Sequence, residues 1–135
     1  MADGILHLSI PVRDLAEARS FYEDALGCEV GRVREDWIDV WFFGLQLTLQ
    51  HRPDEVVGVA EQGVRHFGVA LDDVDAFAAL VQRLRQHDVA WLAEPKVHTA
   101  AELSGKVGGK LADPSGNVIE LKYYDDPSEL RASGA

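Results

Sequence analysis

Two histidines and one glutamate carry the chemistry that can be read from this chain. His7 opens the run His7-Leu8-Ser9-Ile10-Pro11-Val12-Arg13-Asp14, and His66 opens His66-Phe67-Gly68-Val69-Ala70-Leu71-Asp72-Asp73, about half the chain further on. Each run is apolar, reaches an Asp seven residues after its His, and leads into a helical pattern. Glu120 follows the turn Asp113-Pro114-Ser115-Gly116-Asn117 near the end of the chain. Two neutral imidazoles and a carboxylate are a donor set for one divalent ion per chain: Fe, Mn, Ni, Co or Zn. Three protein ligands leave open positions. Such a site supports O₂ activation at iron, or polarisation of a substrate oxygen by a Lewis acid. A lone His or Glu on an apolar strand is more often structural or solvated. The repetition makes the ligand reading of His7, His66 and Glu120 the stronger one.

The elements around them repeat in the same order. Ile5 to Val12 is expected as a strand, Asp14 starts a helix with Glu17 three residues on, and Gly27 ends it. Cys28 to Arg32, Trp37 to Phe43 and Leu45 to His51 follow as strands. This is one βαβββ module, residues 5–52, and residues 53–63 read as a linker containing Pro53, Gly58 and Gly63. A second module, 64–124, repeats it: strand Val64 to Leu71, a helix capped by Asp72 or Asp73, strand Val89 to Leu92, then a hairpin of Gly109 to Ala112 and Val118 to Tyr123. Residues 125–135 form a polar tail. The fold class is therefore α+β with paired βαβββ modules.

Strand alternation selects pocket residues. Glu120 lies four residues after Gly116, and Thr48 lies four after Gly44, so Thr48 takes the place equivalent to Glu120. Gln46, Thr48 and Gln50 share one face, expected to look into the cleft, while His51 points with the leucines to the other. Ser9 shares a face with His7, and Val118 and Lys122 share one with Glu120. Lys110 can face the cleft and meet an anionic substrate. The stretch Glu94 to Gly108 is long for a connection and reads as a lid, from which His98 could act as acid or base. His51 and His87 read as solvent-facing. Trp37, Trp41 and Trp91 read as core strand aromatics, with a binding platform as the alternative.

The 135 residues carry 13 basic and 23 acidic side chains, a net charge of −10, and 47% hydrophobic residues. That composition suits a packed domain and makes nucleic acid and anionic membranes poor partners. The one cysteine, Cys28, precludes an internal disulfide and reads as a small buried hydrophobe. No leader pattern or long apolar run is present, so a cytoplasmic protein is expected.

The segments His7 to Leu15, Phe21-Tyr22-Glu23-Asp24-Ala25-Leu26-Gly27, His66-Phe67-Gly68-Val69 and Asp113 to Glu120 together resemble the vicinal oxygen chelate superfamily. Its members include glyoxalase I, extradiol dioxygenases, methylmalonyl-CoA epimerase, fosfomycin-resistance thiol transferases and bleomycin-resistance proteins. The resemblance implies a cup-shaped mixed sheet, a divalent metal held at His7, His66 and Glu120, and a homodimer. Glyoxalase I and the epimerase have a fourth ligand where Thr48 stands, so this chain is closer to the three-ligand members. The fosfomycin enzymes have a threonine where Ser9 stands, but an aromatic at the place of Gln46 and a tyrosine at that of Lys110. The segment from Trp37 to Gln46 also looks like glyoxalase-like proteins without a settled substrate. The expectation is a metal-dependent enzyme of dioxygenase, isomerase or lyase, or thiol-transferase type acting on a small molecule with vicinal oxygens. The alternative is a non-catalytic, drug-sequestering binding protein of the bleomycin-resistance type, although such binders lack the metal ligands.

Overall fold

The computed structural model describes residues 3–97 and 99–131. Two four-stranded mixed sheets are built from consecutive halves of the chain. The first contains β1 (His7–Val12), β2 (Glu29–Val33), β3 (Trp37–Phe42) and β4 (Leu45–His51) in the order β1-β4-β3-β2. The second contains β5 (Phe67–Leu71), β6 (Ala90–Ala93), β7 (Lys106–Ala112) and β8 (Val118–Tyr124) in the order β5-β8-β7-β6. In each, the first strand pairs in parallel with the last, and the other pairs are antiparallel. These are two βαβββ modules.

The registers repeat as closely as the strand order. Ser9 stands opposite Thr48, and Gly68 stands opposite Glu120. Asp39 faces Thr48 from β3, as Lys110 faces Glu120 from β7. The internal duplication therefore holds at single-residue resolution, and Thr48 is the structural counterpart of Glu120.

Helix α1 (Leu15–Arg19) is capped by the Asp14 carboxylate, which accepts from the Glu17 N–H. Glu17 does not complete a capping box; it pairs with Arg13. The helix continues as a wider π-helical turn, Ser20–Ala25, and Gly27 then adopts φ 78°. Helix α2 (Val74–Arg85) buries Phe77, Leu80, Val81 and Leu84 beneath an Asp73 cap. Alternation sends Ile38, Val40, Leu47 and Leu49 from the first sheet, and Leu111, Ile119 and Leu121 from the second, into one shared core with both helices. Phe42 meets Phe67 edge-on across the junction, with ring centroids 5.2 Å apart. Each sheet thus turns one face to a common interior and the other away from it.

Polar ties lock the junction. The Asp113 carboxylate accepts from the buried Tyr22 hydroxyl at 2.8 Å, from the Asn117 side chain, and from the Ser115 and Asn117 N–H groups. Asn117 also donates to the Pro11 carbonyl, and the Arg13 N–H donates to Ser115. Burial holds the Tyr22 phenol well above its ordinary ionisation range, and the adjacent Asp113 carboxylate adds to the shift. Because its folded-state value is raised, its contribution to stability is complete below about pH 10 and is lost as pH rises through the folded value. Tyr22→Phe is expected to cost about 1–3 kcal/mol at neutral pH, by leaving Asp113 short of a donor, and to weaken the alkaline loss of stability. Urea denaturation across pH 7–11 checks both effects.

Several boundaries differ from those read in the sequence. His66, expected inside a strand beginning at Val64, lies just before β5, and β7 begins at Lys106, which shortens the expected lid. Arg85 donates to the carbonyls of Pro95 and Val97, and Val97 and Leu103 are buried in the core. Trp91 packs on the core, but Trp37 and Trp41 do not: both stand half-buried on the outward face of the first sheet. No helix among the described residues is long and apolar enough to cross a membrane.

Candidate metal and ligand site

The outward face of the second sheet carries His66, Glu120, Lys110 and Lys122. Glu120 lies on β8 with Lys110 directly across from it on β7 and Gly68 beside it on β5. His66 Nε2 stands 4.0 Å from Glu120 Oε1. Lys122 Nζ is 3.2 Å from the same oxygen, and Lys110 Nζ is 3.6 Å from Oε2. Partial desolvation pushes the Glu120 carboxyl up, but the Lys122 hydrogen bond and the charges of Lys122, Lys110 and His66 outweigh it and hold the group below the usual glutamate range. A cavity of about 330 Å³ opens here, lined by His66, Gly68, Ala70, Glu120 and Lys122 among others.

The outward face of the first sheet carries His7, Ser9, Gln46, Thr48 and Gln50, opposite the core-facing leucines, and His51 is exposed. At its centre is a residue the sequence reading left out, Asp39, only 2% exposed. It accepts from Thr48 Oγ1 at 2.6 Å and from Arg32 Nε at 2.7 Å, and Gln46 Nε2 lies 3.5 Å away. Arg32 and Arg34 also stack over Trp37. Burial raises the Asp39 carboxyl, but the bonds from Thr48 and Arg32, with the charges of Arg32 and His7, bring it below the ordinary aspartate range. A signal for Asp39 was present: it falls between Trp37 and Trp41 on the face opposite Ile38, Val40 and Phe42. Asp39→Asn is expected to cost about 1–3 kcal/mol at neutral pH and to weaken the acid dependence of stability below about pH 4. The sign follows from a depressed value, whose contribution is lost as pH falls through it; thermal melts from pH 3 to 7 check it.

Both histidines are oriented by backbone carbonyls. His7 Nδ1 lies 3.1 Å from the Gln46 carbonyl, and His66 Nδ1 lies 2.8 Å from the Val64 carbonyl. A carbonyl only accepts, so Nδ1 is the donor in both rings, and Nε2 is the nitrogen left to meet a further partner, which for His66 lies on the Glu120 side. This is the arrangement of metal-binding histidines, whose second nitrogen is held by an outer acceptor.

The three ligand candidates do not meet within one chain. Among the described residues, no group of three or more His, Cys, Asp or Glu side chains is placed to hold a metal ion. His66 and Glu120 are paired on one sheet, and His7 stands with Asp39 and Thr48 on the other. His98, expected as a lid acid or base, lies outside the described residues. Apolar side chains next to both histidines are uncovered: Leu6 is 76% exposed and Val64 90% exposed. Cys28 is buried, and burial pushes its thiol up to about 12.

The family model described as Glyoxalase/Bleomycin resistance protein/Dioxygenase superfamily matches residues 4–121. A Bacillus subtilis (strain 168) protein named as a probable trivalent organoarsenical cleaving enzyme is 27% identical over 128 residues, covering 93% of this chain and 84% of the relative. A crystal structure of a glyoxalase/bleomycin resistance protein/dioxygenase from Alicyclobacillus acidocaldarius superposes with a TM-score of 0.79 at 33% identity, covering 93% of this chain and 95% of that one. The antibiotic-binding protein TnmS3 from Streptomyces sp. CB03234 superposes with a TM-score of 0.65 at 25% identity, covering 91% and 97% of the two chains.

Proposed function

Because this chain belongs to the glyoxalase/bleomycin resistance/dioxygenase superfamily, we propose that it is a metal-dependent enzyme whose site is shared between two copies. His66 and Glu120 of one chain and His7 of a second copy hold one divalent ion. The observation that carries this reading is the orientation of both imidazoles, each held through Nδ1 by a backbone carbonyl, with His66 Nε2 facing Glu120. The donor set suits Fe, Mn, Ni, Co or Zn. Each chain offers two incomplete half-sites on faces turned away from its core, and matching registers make those halves interchangeable across a dimer. Exposed Leu6 and Val64, beside the two histidines, become covered when the halves meet.

When bound, the ion supplies a Lewis acid for a substrate oxygen or a centre for O₂. The protein side chains do the remaining work. Glu120 and His66 bind, and Ser9, Gln46, Thr48 and Gln50 line the first half of the cleft. Asp39 holds Thr48 and Arg32 in place, and Lys110 presents a positive charge opposite Glu120. The fold serves ring-cleaving oxygenation, isomerase or lyase, and thiol-transfer chemistry alike. An arsenical substrate fits poorly. Trivalent arsenic is a soft centre that prefers thiolates, and the one thiol here is buried and protonated.

The second reading is a cytoplasmic protein that sequesters a drug or metabolite without turnover, favoured by the likeness to TnmS3 and by lysines that already neutralise Glu120. Elemental analysis of untagged protein, purified anaerobically without chelator, separates the two. The enzyme reading expects near one divalent ion per chain, lost in both His66→Ala and Glu120→Ala. Protein that takes up no metal on addition, or that keeps it in both variants, overturns that reading.

A further inference from the structure

We propose that Lys110 and Lys122 bind an anionic oxygen group of the ligand beside Glu120, which makes the natural ligand a small oxyanion-bearing molecule. The inference rests on the reading of this face as the ligand site. Two ammonium groups share one carboxylate there: Lys122 Nζ on Oε1 at 3.2 Å and Lys110 Nζ on Oε2 at 3.6 Å. Both of their ion pairs among the described residues are with Glu120, whereas Lys106, further along β7, has its own partner in Glu129. The local charge is therefore positive on a chain whose net charge is −10. Such a concentration does not follow from composition, and the single Glu120 carboxylate shared by both ammonium groups leaves one positive charge uncompensated there, which a ligand anion can meet.

The space for that anion is present. Lys122 stands opposite Gly108, which has no side chain. A second cavity of about 230 Å³, lined by Lys106, Gly108, Glu120, Lys122 and Tyr124, adjoins the first at Glu120 and Lys122. A cation held by His66 and Glu120 would compete with both lysines for the same oxygens. Lys110 and Lys122 would then be released to make charge-assisted bonds to a substrate oxyanion in place of the lost pairs. In this way the ligand's anionic end is set within reach of Glu120 and His66.

The test uses metal-free full-length protein titrated calorimetrically with inorganic phosphate and, separately, acetate. Glu120→Gln removes the competing carboxylate charge and is expected to tighten binding of at least one anion by about tenfold. Lys110→Gln/Lys122→Gln, introduced into wild-type and Glu120→Gln chains, is expected to weaken it by more than about tenfold, and added NaCl to weaken it further. Preference for phosphate assigns a phosphoryl or phosphonyl ligand, and preference for acetate a carboxylate; both uphold the proposal. No anion binding in Glu120→Gln, or binding indifferent to the double lysine change, overturns it. Mn²⁺ binding, read by water-proton relaxation, is measured in parallel on wild type and the double lysine variant. Retained Mn²⁺ with no anion binding sinks only the lysine proposal. Absent Mn²⁺ with lysine-dependent anion binding sinks only the metal reading.

Discussion

Mixing His7→Ala chains with Glu120→Ala chains is expected to restore metal binding that neither variant has alone. In a shared site, the Glu120→Ala chain supplies an intact His7, and the His7→Ala chain supplies an intact His66 and Glu120. Each mixed dimer then holds one complete site and one dead one. With equal amounts and random re-pairing, half the dimers are mixed, so about one quarter of the sites recover. The readout is metal per chain after the mixture has been partly unfolded, refolded and dialysed against Mn²⁺. Recovery near a quarter places the ligands on two chains. Zero recovery, with dimers demonstrably mixed, overturns the shared site. Full metal in His7→Ala alone removes His7 from the ligand set. The effect is all-or-none for each site, because losing one of three protein donors leaves too few to hold the ion.

Gly68→Ala is expected to be the most damaging small substitution near the site. A Cβ at Gly68 lies 1.8 Å from the Glu120 carbonyl oxygen and 2.7 Å from its carbonyl carbon, both backbone atoms. Neither can yield without opening the parallel β5–β8 ladder, in which Gly68 stands directly opposite Glu120. The expected cost is about 4 kcal/mol or more, with loss of metal binding because the Glu120 backbone must move. Gly108→Ala is the control: the one atom within 4 Å is the Leu121 carbonyl oxygen at 3.7 Å, an ordinary contact. Urea midpoints and metal content of the two variants, measured side by side, decide the matter. A stable, metal-loaded Gly68→Ala protein would show that the strands do not approach so closely. Gly68 takes the place that Ser9 has in the first module, so the duplicated fold tolerates a side chain at one copy of this position only.

Much of this arrangement was legible before any coordinates, and the reason is local. The paired His runs and the four-residue step from Gly44 to Thr48 and from Gly116 to Glu120 establish the duplication. Strand alternation then puts Gln46, Thr48 and Gln50 on one face and the leucines on the other. The Asp113–Asn117 turn and the caps at Asp14 and Asp73 follow from short-range hydrogen bonding. What escaped was set by contacts between elements. Aromatic strand residues usually enter the core, but here the pleat gives it to Ile38, Val40 and Phe42 and leaves Trp37 and Trp41 on the outward face. Asp39 gained its role from Thr48 and Arg32, which lie on other strands. β7 reached back to Lys106 because β8 offered it a ladder as far as Tyr124. The sequence by itself determined two equivalent strand sets and which residues share a face of each. Tertiary packing alone decided that the apolar faces meet in one core, which leaves His7 on the outward face of one sheet and Glu120 on that of the other. Periodicity records which face of a strand is apolar, but not which other apolar face it will be buried against.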